Sequence, residues 1–295
     1  MPHTKENGEL LKSHVNYHLP PPKGEKYPVQ YIRTVGFHRA KYDRQLVEIT
    51  DKRTCEEAFS LDTHGFQWVP STIQEKEWKD EYLFALPPQV HKDVQDLLMR
   101  HTGATYVHPL PPHVIRRDSH QKVLDIQDDV PDDAILNMAP PAFFVHVDQS
   151  YAGAEIIINR QPEADSLLAK AKHHRWGIVN VWQPLKPVNR DPLAVCDARS
   201  VDESDLVPVV TRLVYAGQNI DDEQWHVKAN PNHKWYYASR MTPDEVLLIK
   251  CFDSKLDGRA RRTPHTAVET PEDFGPPRES IEIRCLVFWE GEDLT

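Results

Sequence analysis

Apolar positions change their period along the chain. In "PPQVHKDVQDLLMRHTGA", Val90, Val94, Leu97 and Leu98 fall at i, i+4, i+7 and i+8, a spacing that lines one face of an α-helix. Pro88 near its start and Gly103 at its close fit the two ends of a helix. A second helix is expected over Gln161–Arg175, "QPEADSLLAKAKHHR". Residues 44–71 instead alternate, with a turn at Gly65, and predict short strands. From about residue 140 onward strands dominate. "AFFVHVDQ", "GIVNVWQPL", "LAVCDARSV", "WHVKAN", "KWYYASR", "EVLLIKCFDS", "TPHTAV" and "SIEIRCLVFWE" are rich in Val, Ile, Phe, Tyr and Trp and bounded by Pro, Asn, Asp and Gly. Eight such segments point to a mainly β fold with flanking helices, a sandwich or barrel of the jelly-roll kind. The first thirty or so residues read as an extended lead-in, stiffened by "LPPPKGEKYP".

Composition narrows the class. With 39% hydrophobic and 27% charged residues among 295, the chain can bury a large core and is not a disordered polymer. It carries 25 Pro against 11 Gly, which fits many turns and irregular connections. A net charge of −10 argues against nucleic acid or an anionic membrane surface as partner, since phosphates reward clustered Lys and Arg. The basic run Arg259, Arg261 and Arg262 is short and is read as a solvated loop. Cys55, Cys196, Cys251 and Cys285 form no CxxC pair, so they are expected to be reduced thiols, some buried in strands. The polar start has no apolar signal core and no run is long enough to span a bilayer, so a cytoplasmic protein is expected.

The chemistry lies in "PPAFFVHVDQSYAGA". On a strand Phe144, His146 and Asp148 share a face, with Val145 and Val147 opposite. An imidazole and a carboxylate on such a face need partners, and a divalent metal satisfies both. The alternative is a metal-free His–carboxylate pair. His265 in "RTPHTAV", about 120 residues downstream, is the candidate third ligand, with His233 in "NPNHKWYY" and His113 as competitors. Two His and one carboxylate leave coordination positions open and favour non-haem Fe(II) over structural zinc. Arg278 and Ser280 follow in "PPRESIEIRC". An Arg can grip a carboxylate with two parallel bonds while Ser adds a hydroxyl. Together they would hold the remote carboxylate of 2-oxoglutarate, or a substrate's own carboxylate. Arg284 competes with Arg278 for that role, and Glu282 is a potential ion-pair partner. Asn180, Arg116, Arg199 and Lys250 are weaker candidates, for which a satisfied structural polar group is the alternative. Trp235, Tyr236 and Tyr237 are read as core packing.

The ordered set His-x-Asp, distant His, Arg-x-Ser is joined by the strings "LDTHGFQW", "HVDQSYAGA", "NVWQPL", "NPNHKWYYASRMTPDEVLLIKCFDS", "TPHTA" and "PPRESIEIRCLVF". On these the chain resembles the AsaB-type hydroxylase/desaturase family of fungal secondary metabolism, related to CmcJ and to gibberellin desaturase-like proteins. The resemblance spans roughly residues 15 to 290. It implies a double-stranded β-helix (cupin-like jelly-roll) core at about 140–290 within a single oxygenase domain, 1–295. It further implies Fe(II), 2-oxoglutarate and O2, with His146, Asp148 and His265 as ligands and Arg278, Ser280, Arg284 and Asn180 around the co-substrate. A small-molecule substrate would be hydroxylated, desaturated or closed into a ring, by a monomer or homodimer. Two other readings use the same residues: an Fe(II) oxidase needing no 2-oxoglutarate, and a catalytically silent jelly-roll binding protein.

Overall fold

A computed structural model describes residues 10–215 and 217–294; the polar start over 1–9 lies outside them. In chain order the strands are β1 (Leu11–Tyr17), β2 (Gln30–Tyr31), β3 (Asp43–Asp51), β4 (Phe66–Pro70), β5 (Tyr106–Arg116), β6 (His146–Val147) and β7 (Arg175–Pro184). β8 (Leu193–Cys196), β9 (Leu206–Tyr215), β10 (Gln218–Val227), β11 (Trp235–Tyr237), β12 (Glu245–Asp253), β13 (His265–Ala267) and β14 (Ser280–Trp289) follow. Helices are α1 (Val35–His38), α2 (Pro88–Thr102), α3 (Gln121–Leu124), α4 (Tyr151–Asn159) and α5 (Ala164–Ala171). The strands form two sheets. One has the order β1-β3-β11-β8-β13-β6-β10-β9-β2, the other β4-β12-β7-β14-β5. This is the jelly-roll arrangement expected of the pattern.

Strand β7 is buried at every position, as expected of a central strand covered on both faces. Helix α2 supplies one cover. Its Val90, Val94, Leu97 and Leu98 join a cluster with Val179, Val181, Ile281, Ile283, Cys285 and Val287. Pro88 opens this helix, and Gly103 closes it at φ 71, donating its N–H to the Met99 carbonyl. The even-numbered residues Asn180, Ser280, Glu282 and Arg284 take the other face, toward the larger sheet. Helices α4 and α5 seal one end: Ala154, Ile158 and Leu167 pack with Ile178, Leu286 and Phe288.

Several elements differ from the sequence reading. The lead-in contains β1, which pairs with β3 over seven residues. Only His146 and Val147 of "AFFVHVDQ" are strand, because the backbone before them bonds the end of β1, Val145 N–H to the Asn16 carbonyl. Ser150 then caps α4 through the Gly153 N–H. The second helix shortens to α5, and Arg175 instead starts β7, tied to Asp253 at 2.6 Å. The basic run is not simply solvated: Arg262 is buried against the Val201 carbonyl and Glu203, and Arg259 joins Asp62. His233, a competitor for the third ligand position, lies buried between Tyr17 and Asp205. Cys196, Cys251 and Cys285 are buried free thiols in β8, β12 and β14, and Trp235 is core.

Candidate metal centre

Strands β6 and β13 lie side by side, with His146 and His265 as direct cross-strand partners. Their rings stand 4.4 Å apart. Asp148, one residue past β6, turns its Oδ1 to both: 3.4 Å from His146 Nε2 and 3.9 Å from His265 Nε2. One ligand atom from each residue falls within 4.8 Å of the others. Among the described residues this is the one such grouping of three potential metal ligands.

The backbone fixes both rings. His146 Nδ1 lies 2.9 Å from the Phe144 carbonyl, and His265 Nδ1 lies 3.1 Å from the Thr263 carbonyl. A carbonyl only accepts, so each Nδ1 carries the proton and each Nε2 lone pair faces the centre. That is the outer support a metal-binding His requires. The second carboxylate oxygen is also occupied. Asp148 Oδ2 accepts from Asn180 at 2.5 Å and from Arg284 at 3.1 Å, leaving Oδ1 free. The donor set therefore fits a divalent ion with open positions.

Electrostatics agree with the geometry. Burial raises the Asp148 carboxyl, but the Arg284 guanidinium outweighs it and holds the group well below the usual carboxylate range. Burial, with His146 beside it, pushes His265 down to about 4. Burial also pushes Glu282 up to about 7, with Asp148 adding to it.

Arg278 presents a different environment. It is 5% exposed, donates to the Asp191 backbone carbonyl at 2.5 Å, and stacks over Trp182. Its Nε and the Ser280 hydroxyl are buried and unpaired. Burial, with Arg116 nearby, pushes Arg278 down to about 10. A guanidinium taken out of water beside an unpaired hydroxyl is suited to receive an anion. Arg116 sits across from Ser280 and donates to the Pro140 carbonyl.

Other candidates fall elsewhere. Arg199 is bound to Asp197 and Glu57, and Lys250 to Asp62 and Asp253. His113 is buried on β5 and is not one of the three grouped ligands. The sequence reading passed over His226, the direct neighbour of His146 on β10. Burial, with His146 and His18 nearby, pushes it down to about 3. Its signal was a lone imidazole in the apolar string "WHVKAN", but the pairing of β10 with β6 could not be read from spacing.

The loop before β13 is tightly packed. Gly65 has φ +85, and a Cβ there would lie 2.1 Å from Thr263 Oγ1 and 3.1 Å from the Arg262 carbonyl. The turn at Gly65 thus braces the residue that orients His265.

A family model described as an oxidoreductase/YMDC permease-like domain matches residues 15–288. The hydroxylase/desaturase efuI of Hormonema carpetanum is 46% identical over 268 residues, covering 88% of this chain and 89% of that protein. The hydroxylase/desaturase CTB9 of Cercospora beticola is 41% identical over 286 residues, covering 94% and 86%. A solved structure of the iron and alpha-ketoglutarate-dependent endoperoxidase NvfI superposes with a TM-score of 0.71 at 26% identity, covering 96% of this chain and 99% of that one.

Proposed function

The chain belongs to the AsaB-type hydroxylase/desaturase family of Fe(II)/2-oxoglutarate-dependent oxygenases, and from that premise we propose the roles of its residues and the reaction it performs. His146, Asp148 and His265 hold Fe(II). Arg278 and Ser280 hold the remote carboxylate of 2-oxoglutarate, and Arg284 and Asn180 hold Asp148 in place rather than the co-substrate. The substrate is a small secondary metabolite oxidised at an unactivated C–H bond. Hydroxylation consumes O2 and 2-oxoglutarate and yields alcohol, succinate and CO2. Desaturation or ring closure gives an alkene or a ring plus water in place of the alcohol, with the same succinate and CO2.

The observation that carries this reading is the convergence of three ligand atoms within 4.8 Å, with both Nδ1 positions already bonded to carbonyls. Bound iron, with its co-substrate, supplies the oxidising power for C–H cleavage. The protein's own part is positioning. The Phe144 and Thr263 carbonyls fix the imidazoles. Asn180 and Arg284 hold Asp148 so that a single oxygen faces the metal. The buried Arg278 sets the register of the co-substrate, and the sheets keep water away.

The test is anaerobic addition of Fe(II) and then 2-oxoglutarate, followed by admission of O2. A visible charge-transfer band that needs both additions, followed by succinate, is expected. His265→Ala should lose both. Succinate formation that survives His265→Ala unchanged would overturn the ligand assignment. O2 uptake independent of 2-oxoglutarate would overturn the proposed roles of Arg278 and Ser280.

A further inference from the structure

Next to the ligand His146 lies a run of side chains that hold neither metal nor co-substrate. It begins at Phe144, whose ring stands 4.5 Å from that of His146. Phe144 stacks on Tyr42 at 5.6 Å and 10° and meets Phe37 edge-on at 5.8 Å. His226 lies 5.3 Å from Phe144, 5.7 Å from His18 and 6.0 Å from Tyr27. The neighbours of His226 here are rings, and the Lys228 ammonium that acts on His18 is held by the Ser204 carbonyl.

This apolar wall contains unpaired polar atoms. His226 is fully buried and His18 nearly so, yet Nδ1 of each has no hydrogen-bond partner. The Gln224 amide nitrogen, a donor, lies 2.9 Å from His226 Nε2. Nε2 therefore accepts, and the proton sits on Nδ1. A buried N–H without an acceptor is unfavourable unless an oxygen fills the position. An aromatic surface with one N–H donor, its Phe144 and Tyr42 rings stacked at 10°, suits a ring system carrying one oxygen acceptor.

We propose that His226 is a specificity-determining residue of the substrate site, and that the site takes an uncharged ring-bearing molecule whose carbonyl or hydroxyl oxygen accepts from His226 Nδ1. The proposal rests on the oxygenase reading above and deepens it. The apolar ring lies along Phe144 and Tyr42, and the bond to His226 sets which carbon faces the metal. Substrates bearing a carboxylate at this end are disfavoured, because the donor that faces them is a neutral imidazole and the Lys228 ammonium near His18 is already held by the Ser204 carbonyl at the surface.

The test uses two probes of matched shape, 1-tetralone and tetralin. They are dialysed to equilibrium against the full-length protein loaded with Fe(II) and 2-oxoglutarate without O2. One neutral hydrogen bond to a buried donor predicts about tenfold tighter binding of the ketone. In His226→Phe that preference should fall to about one, while the charge-transfer band and the 2-oxoglutarate affinity stay as in the wild type. Equal binding of the two probes, absence of binding by both, or a preference that survives His226→Phe overturns the proposal. Should the variant fail to fold, the wild-type comparison still decides, since equal affinities overturn it. Failure of the wild type to form the band with Fe(II) and 2-oxoglutarate would instead overturn the oxygenase reading, whatever the probes do.

Discussion

Replacing Arg278 by Gln should separate co-substrate binding from both metal binding and stability. In the free protein this guanidinium is buried, bonds one backbone carbonyl, and leaves Nε and the neighbouring Ser280 hydroxyl unpaired. A carboxylate arriving there gains hydrogen bonds to a charged group, worth about 1.5–3 kcal/mol each. Two such bonds, partly replaced by the Gln amide, leave a net loss of about 3–4 kcal/mol, or roughly 100- to 1000-fold in Kd for 2-oxoglutarate. Iron binding should not change, because no ligand is touched. The ligand-free variant should keep its Tm or gain slightly, since a buried cation that Asp191 and Glu282 act on only electrostatically, with no ion-pair contact, is removed. Anaerobic titration of the Fe(II) protein with 2-oxoglutarate measures the first quantity, and thermal unfolding without ligand measures the second. A Kd within threefold of wild type would refute the assignment. A fall in Tm large enough to account for the lost binding would make Arg278 a structural residue instead.

Three further outcomes follow from packing and charge. Gly65→Ala places a methyl group 2.1 Å from Thr263 Oγ1 at a positive φ; strain and overpacking together should cost about 2–4 kcal/mol and weaken metal binding, and a variant with wild-type Tm and metal affinity would contradict the bracing role. Leu97→Ala empties a fully buried position under α2 and should destabilise by about 3–5 kcal/mol; denaturant unfolding measures it, and metal stoichiometry at low temperature should be unchanged. Burial raises the Asp62 carboxyl, but Lys250 and Arg175 outweigh it and hold the group below its usual value. The folded state thus takes up this proton less readily than the unfolded state. The stabilisation is complete above about pH 4 and is lost as pH falls through the folded value. Asp62→Asn should therefore lower Tm at pH 7, with the difference shrinking as pH falls below about 4, and a Tm difference that stays constant on acidification would refute it.

The site was legible where one strand face carried its chemistry. His146 and Asp148 stand out because two polar groups follow Phe144 on one face, and α2 because its apolar period, Pro88 and Gly103 agree. What escaped depends on neighbours that are remote in sequence. Strand β5 contains Pro109, Pro111 and Pro112, which argue against a strand; it forms because it is the edge of its sheet, where a missing N–H goes unnoticed. Strand β9 carries an apolar, β-branched run, "LVPVVTRLVY", that Pro208 obscures. The lead-in hid β1, whose Ser13, Val15 and Tyr17 are buried in alternation. The division of labour between Arg278 and Arg284 was undecidable from a shared strand face. The proposed division rests on where Asp148 sits across the sandwich, against Arg284, a relation between sheets that no local pattern records.

The brevity of β6 has a consequence for durability. Two residues form this strand, and a single residue pair joins it to β13. The segments that carry His146 and His265 are thus weakly stitched by backbone, although about 120 residues separate them in the chain. An ion held by both acts as a removable cross-link across that long loop, much as a disulfide would, and its binding energy adds to folding. Without the ion, a single backbone pair and packing alone hold the seam between β6 and β13. Iron supply should therefore bear on how long the folded protein lasts as well as on its activity, and a Tm unchanged by loading with Fe(II) would refute this.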